Sequence, residues 1–444
     1  MQPNATVTAL VVLLYMASSL SGMRTGNQGT QVPSPPGINT TQPTPQTEKN
    51  VIADLAGRSA ALAKNANVRT GPGENYPVLK VLPQNTPVRL IAQKGSWFQI
   101  SLPSGGYGWV ASSLVNMGSS VPASGSGRAV VGYYTVNYSG DKSSYNVLKA
   151  QSSVLTAIAP FSYSVDRSGK VTGSHFADAM EIATSKGLKN LALVHNMAGS
   201  SFSKSEVSAL LNSQSARAAA VKNIARIVAQ RGYDGVNIDF ENVPPADRTV
   251  LTKFMKELAA ELRPKGYLVT MSVPAKHTDS PKSAWIGAFD YHALGQICDQ
   301  IMLMTYDEHT SGTSPGPVAS LPWVEKVIKY ATSQIPKHKV IMGVAAYGYD
   351  WNTKTNKAKG VSYSQAISTA AKHGAKVQWD NVAQVPYYTY KSGGVTHKVY
   401  FESTESLKMK LKLVDRYDIG GIALWRLGQE DDNSWKAIET ALRN

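Results

Sequence analysis

The strongest chemical signal in the chain is a pair of carboxylates set two residues apart in an apolar frame. In the stretch Asp234-Gly235-Val236-Asn237-Ile238-Asp239-Phe240-Glu241, the apolar Val236, Ile238 and Phe240 alternate with Asn237, Asp239 and Glu241. An extended strand therefore sends three polar groups to one face and three apolar groups to the other. Strands buried on both faces ordinarily read as unbroken apolar runs, so polar residues at every second position need polar work. Acid–base chemistry is the obvious candidate. A half-exposed antiparallel strand would show the same alternation, but the residues after Glu241 count against it. Pro244 and Pro245 lead into Leu251, Phe254, Met255, Leu258 and Leu262 at helical spacing, which makes the segment a strand, a loop and a helix.

A carboxylate pair needs a scaffold, and the chain beyond Arg128 supplies repeated strand-and-helix units. Strand-like runs occur at Ala129–Tyr134, Leu155–Phe161, Leu191–His195, Gly235–Glu241, Leu268–Val273, Gln300–Tyr306, Val340–Ala346 and Gly421–Trp425, with helical periodicity between most of them. Eight such units predict an α/β fold, a closed (β/α)8 barrel of parallel strands. The stretch of about 348–402 is too long for a plain loop and reads as a small α+β insertion after strand seven, placed to wall a cleft. Working residues in such barrels sit at the carboxyl ends of the strands. Glu241 falls there, and so do Met304, Tyr306 and Asp307 after strand six and Trp425 at the end of strand eight. An acid, neighbouring carboxylates, a phenol and a flat apolar face suit a sugar ring with an oxygen to protonate.

Ahead of the barrel the composition changes several times. Val7–Met16 is a short apolar run followed by Ala17, Ser18, Ser19, Ser21 and Gly22, so residues 1–22 read as a signal peptide, although no Lys or Arg precedes the run. Residues 23–60, rich in Thr, Gln, Pro and Asn, are expected to be a disordered linker. Residues 61–115 carry short alternating segments with turns at Gly71-Pro72-Gly73 and Gly105-Gly106, a small all-β module. In it Arg58, Lys64, Arg69, Lys80, Arg89 and Lys94, counted with the residues just before it, outnumber Asp54 and Glu74. Residues 116–128 form a Gly/Ser-rich linker to the domain at 129–444.

The whole chain of 444 residues carries a formal charge of +15, which favours an anionic partner, but no arginine-rich tract or nucleic-acid motif accompanies it. Cys298 is the single cysteine, so no intrachain disulfide forms. The histidines lack metal-ligand spacing; neither a metal nor a cofactor is implied, and His195 and Cys298 read as packing groups.

Two resemblances add to this reading. Asn67-Val68-Arg69 before Gly71-Pro72-Gly73, then Trp97, then Gly108-Trp109-Val110, resembles a bacterial SH3-type domain, which implies a cell-wall peptide as ligand. Asp234 to Glu241, Met304-Thr305-Tyr306-Asp307 and Gly421 to Trp425 resemble glycoside hydrolase family 18, a family of chitinases, glucosaminidases and some inactive lectins. Val131-Gly132-Tyr133-Tyr134, Ile158 to Tyr163 and Ala423 to Gly428 are similar to its spore and cell-wall glucosaminidase branch. The resemblance implies a hydrolase of N-acetylglucosamine-containing polysaccharide, either peptidoglycan of cell wall or spore cortex or, alternatively, chitin, with a sugar-binding lectin that has lost turnover as the other alternative; a secreted or envelope- or spore-associated monomer is expected. It makes Glu241 the general acid, Asp239 the group that holds the substrate's acetamido N–H, and Tyr306 the phenol that aligns it. Trp425 would floor the subsite, with Met304, Asp307, Tyr134 and Phe161 lining it. Asn237 departs from the family's usual Asp; it is expected to bind substrate and to hydrogen-bond Asp239.

Overall fold

The computed structural model describes residues 59–84, 86–102, 107–116 and 127–443. The signal peptide at 1–22, nearly all of the linker at 23–60, most of the linker at 116–128 and the Gly105-Gly106 turn lie outside these residues. Among the described residues no helix is long and apolar enough to cross a membrane.

Eight parallel strands close the barrel: β1 (Ala129–Tyr134), β2 (Ala157–Val165), β3 (Lys189–His195), β4 (Gly235–Asp239), β5 (Leu268–Pro274), β6 (Gln300–Met304), β7 (Val340–Ala345) and β8 (Gly421–Trp425). Closure is made where β1 pairs with both β8 and β2. The predicted limits of β1 and β8 hold to the residue. β2 instead runs on to Val165, because a hairpin with Val171–Gly173 extends its ladder.

β4 and β6 stop two residues short of the expected ends. The β4 ladder ends at Ile238 opposite Met271 and at Asp239 opposite His195. Phe240 then turns outward to stack on Phe254 with ring centroids 5.4 Å apart. Glu241 and Tyr306 therefore stand in the loops just above their strands.

The alternation in β4 sorts its side chains between two cores. Val236, Ile238 and Phe240 join the outer core against Leu251, Phe254 and Leu258 of the following helix. The inner core is apolar at one end, with Val131, Ala157, Leu191 and Ile341. Asn237, Thr270 and Ser272 make it polar on the β4 and β5 side, all of them buried. The strand is covered on both faces, which removes the half-exposed antiparallel alternative.

The insertion begins one residue earlier than expected. Its antiparallel sheet runs in the order Lys357–Ser362, Tyr347–Asn352, Val395–Phe401, Val385–Ser392, Gln378–Asp380, with the helix Tyr363–Lys372 packed on it. The N-terminal module is an antiparallel sheet around Leu62, Val68, Leu90, Phe98, Ile100 and Val110. Its Gly71 turn packs under the Tyr76 ring, which a Cβ there would displace.

Candidate active site

A directed chain of hydrogen bonds underlies the site. The Thr270 hydroxyl donates to the Val236 carbonyl (2.9 Å), so its oxygen accepts from Asn237 Nδ2 (3.0 Å). That fixes the amide: Asn237 Oδ1 accepts from Ser272 Oγ (2.9 Å), and Ser272 in turn accepts from Tyr133 OH (2.8 Å). The expected bond from Asn237 to Asp239 is not formed, because Thr270 and Ser272, with Met302 Sδ at 3.5 Å, take up the amide. Asn237 is a buried strut two residues beneath the site.

Asp239 sits above it on the same face, and burial pushes its carboxyl up from 3.8 to about 7. Glu241 is held well above the ordinary range, first by burial and then by the charges of Asp239 and Asp307. Two such carboxyls cannot both ionise cheaply, so the pair releases its protons in two steps that belong to the pair. A protonated carboxyl beside a carboxylate near neutral pH is what a general acid needs.

The backbone of Glu241 is fixed although the strand has ended. Asn196, a buried residue just past β3, accepts from Glu241 N–H (2.9 Å) and donates to Glu241 C=O (2.9 Å). One amide side chain thus replaces a rung of the ladder. Sequence reasoning misses Asn196, whose only signal is a polar residue directly after an apolar strand.

Tyr306 enters from above β6 with its phenol raised by burial and by Tyr133, Asp239, Glu241 and Asp307. Gly343 makes room for it: a Cβ there would run into the Leu303 carbonyl and lie 2.9 Å from the Tyr306 ring. Asp307 follows with φ 61° and Oδ1 bonded to the phenols of Tyr347 (2.7 Å) and Tyr349 (3.0 Å). Burial lifts it to about 6 against those two bonds. Met304 lies on the inward parity of β6, two residues beyond Met302.

Trp425 meets Tyr133 edge-on at 5.2 Å and Phe161 at 5.8 Å. Phe161 stacks on His195 at 4.4 Å. His195 Nδ1 accepts from Met197 N–H (3.1 Å), and burial lowers the imidazole to about 4, so it is neutral. Burial pushes the Cys298 thiol up to about 12.

Tyr134 requires a correction. It points outward, into the core under the helices, 5.5 Å from Phe176. Its neighbour Tyr133 takes the inward place, near enough to Asp239 and Glu241 for both charges to raise its phenol. Among the described residues no three His, Cys, Asp or Glu side chains converge as a metal-ligand set.

A closed barrel carries buried carboxyls at its carboxyl end, and the chain belongs to the glycosyl hydrolases of family 18, whose model matches residues 129–430. A bacterial SH3 domain model matches residues 64–116. The chain is 30% identical over 326 residues to the uncharacterized glycosylase YvbX of Bacillus subtilis, spanning 70% of this chain and 92% of that protein. It is 30% identical over 299 residues to the cortical fragment-lytic enzyme of Bacillus anthracis, spanning 66% and 69%. Among solved structures, the spore cortex-lytic enzyme SleL of Bacillus cereus superposes with a TM-score of 0.66 at 29% identity, covering 70% of this chain and 73% of that one. A chitinase from Chromobacterium violaceum gives 0.66 at 29%, covering 71% and 98%.

Proposed function

We propose that the protein is an exported, retaining β-N-acetylglucosaminidase that cleaves peptidoglycan glycan strands, in cell wall or spore cortex, with the substrate's own acetamido group as nucleophile. The observation that carries this reading is the carboxyl pair: Asp239 ends β4, Glu241 stands just beyond it, and burial raises both carboxyls above their ordinary range. Glu241 protonates the glycosidic oxygen as the acetamido oxygen attacks the anomeric carbon and the leaving sugar departs. Asp239 accepts the acetamido N–H and offsets the positive charge of the ring that closes. The Tyr306 phenol donates to the acetamido group, Trp425 and Phe161 pack against the sugar, and Met304 and Asp307 line its edge. Glu241, now a carboxylate, takes a proton from the water that reopens the ring, so the anomeric configuration is retained. Asn237 supports Asp239 from below through shape rather than charge.

Peptidoglycan is favoured over chitin by the company the barrel keeps. A bacterial SH3 domain precedes it, and relatives named for spore cortex lysis align with the barrel. The net charge of +15 suits an acidic envelope, and the SH3 domain is assigned a wall peptide. Chitin oligomers remain the second substrate, since the Chromobacterium chitinase matches the barrel at the same TM-score.

The full chain and a chain lacking residues 61–115 should be compared on purified peptidoglycan and on soluble N-acetylglucosamine oligomers. Both proteins are expected to cleave the oligomers at similar rates, while the full chain alone sediments well with insoluble wall, because the module adds effective concentration and no chemistry. Mass spectra of the wall digest should show new reducing ends on N-acetylglucosamine. New ends on muramic acid, or equal sedimentation of the two proteins, would contradict the respective half of the reading.

A further inference from the structure

Asp307 is held by a part of the molecule that the barrel does not need for closure. Tyr347 and Tyr349 lie on the first strand of the insertion, two residues apart and hence on one face. Both phenols donate to the same oxygen, Oδ1, of Asp307, at 2.7 Å and 3.0 Å. Their strand is not a free edge: it pairs with Lys357–Ser362 on one side and Val395–Phe401 on the other. The loop that carries Asp307 is tied to the same strand, since the buried Trp351 donates from Nε1 to the Thr310 carbonyl at 3.3 Å. Tyr349 meets Trp351 edge-on at 5.4 Å, and Tyr347 meets Tyr306 at 6.4 Å. Asp307 Oδ2 has no hydrogen-bond partner among the described residues. The titratable groups facing this carboxyl are Tyr306 beside it, Glu241 from the loop after β4 and the two insertion phenols, with Asp239 and Tyr133 on the far side of Tyr306 and Glu241. Its hydrogen-bond partners are phenols, not a cation.

We propose that Tyr347 and Tyr349 are positioning residues of the active centre, through which the insertion holds Asp307 as a carboxylate beside Glu241. A phenol O–H stabilises the ionised form of its acceptor, so two on one oxygen oppose the effect of burial. The charge so maintained helps Glu241 keep its proton. Loss of both donors lets Asp307 take up a proton, and Glu241 then gives up its own at lower pH. The insertion is in this way part of the acid–base machinery as well as a wall. The consequence for turnover rests on the reading of Glu241 as general acid; the ionisation of Asp307 does not.

The test compares Asp307→Asn, the double variant Tyr347→Phe/Tyr349→Phe, and the triple combination. Asp307→Asn should move the alkaline limb of kcat/KM to lower pH, so that the rate at a fixed pH on that limb falls roughly threefold to tenfold. The tyrosine double variant should shift the limb in the same direction, and adding its substitutions to Asp307→Asn should move it no further. In the free protein, carbon NMR of the Asp307 carboxyl should show it titrating at higher pH in the double variant than in the wild type, whether or not any glycan is cleaved. The proposal is overturned if Asp307 titrates unchanged without the phenols. It is equally overturned if Asp307→Asn leaves the limb in place, or if the tyrosine substitutions still shift it when Asp307 is already Asn.

Discussion

Glu241→Gln is expected to lower kcat by roughly two to four orders of magnitude while the protein still folds and binds glycan. The amide has the shape of the protonated carboxyl and no proton to give. Burial and the charges of Asp239 and Asp307 raise the Glu241 carboxyl well above its ordinary range, which favours the protonated form that the amide imitates. The local backbone is also indifferent to the change, since Asn196 grips the main-chain N–H and C=O of Glu241 and not its side chain. Hydrolysis of N-acetylglucosamine oligomers, with calorimetric binding to the same ligands, separates chemistry from affinity. Turnover within a few-fold of wild type would remove Glu241 from the role of acid.

Asp239→Asn should cost roughly two to three orders of magnitude, the scale on which a preorganised electrostatic partner acts. Asparagine can still accept the acetamido N–H, but it cannot offset the positive charge of the closing ring. The pH dependence gives an independent check. In the wild type Asp239 must lose a proton that it holds to about 7, so the acidic limb of kcat/KM rises toward neutrality. In Asp239→Asn that limb should vanish.

Stability should respond with a definite sign. A carboxyl raised from 3.8 to about 7 by folding contributes stability that is complete below its unfolded value and is lost as pH rises through the folded one. The melting temperature of Asp239→Asn should therefore gain on wild type between about pH 4 and 7. A constant difference across that range would mean that Asp239 is not buried as described.

Much of this centre is legible in the sequence, for local reasons. Period-two alternation puts Asn237 and Asp239 on one face, and the helix after Pro245 makes that strand parallel and doubly covered, so their inward placement follows from residues 234–262 alone. Tyr134 shows where that logic ends. β1 is buried on both faces, so Val130-Val131-Gly132-Tyr133-Tyr134 carries no alternation to say which tyrosine faces the barrel axis. Only the ladder with β8 and the contact with Trp425 select Tyr133.

The true partners of Asn237 escape the sequence for a related reason. Thr270 and Ser272 come from the next strand in register, and they reach the amide before Asp239 can. Asn196 and the two insertion phenols are further from any sequence signal. Each acts on a residue about forty positions away through a hydrogen bond, and no periodicity encodes such a pairing.

The central claim, attack by the substrate's acetamido oxygen with Glu241 as acid, is tested most directly by a thiazoline analogue of the cyclised N-acetylglucosamine intermediate. Its inhibition constant should lie at least two orders of magnitude below that of free N-acetylglucosamine, because the site is complementary to the closed ring. Equal inhibition by the two compounds, together with a sugar trapped covalently on Asp239, would contradict the account.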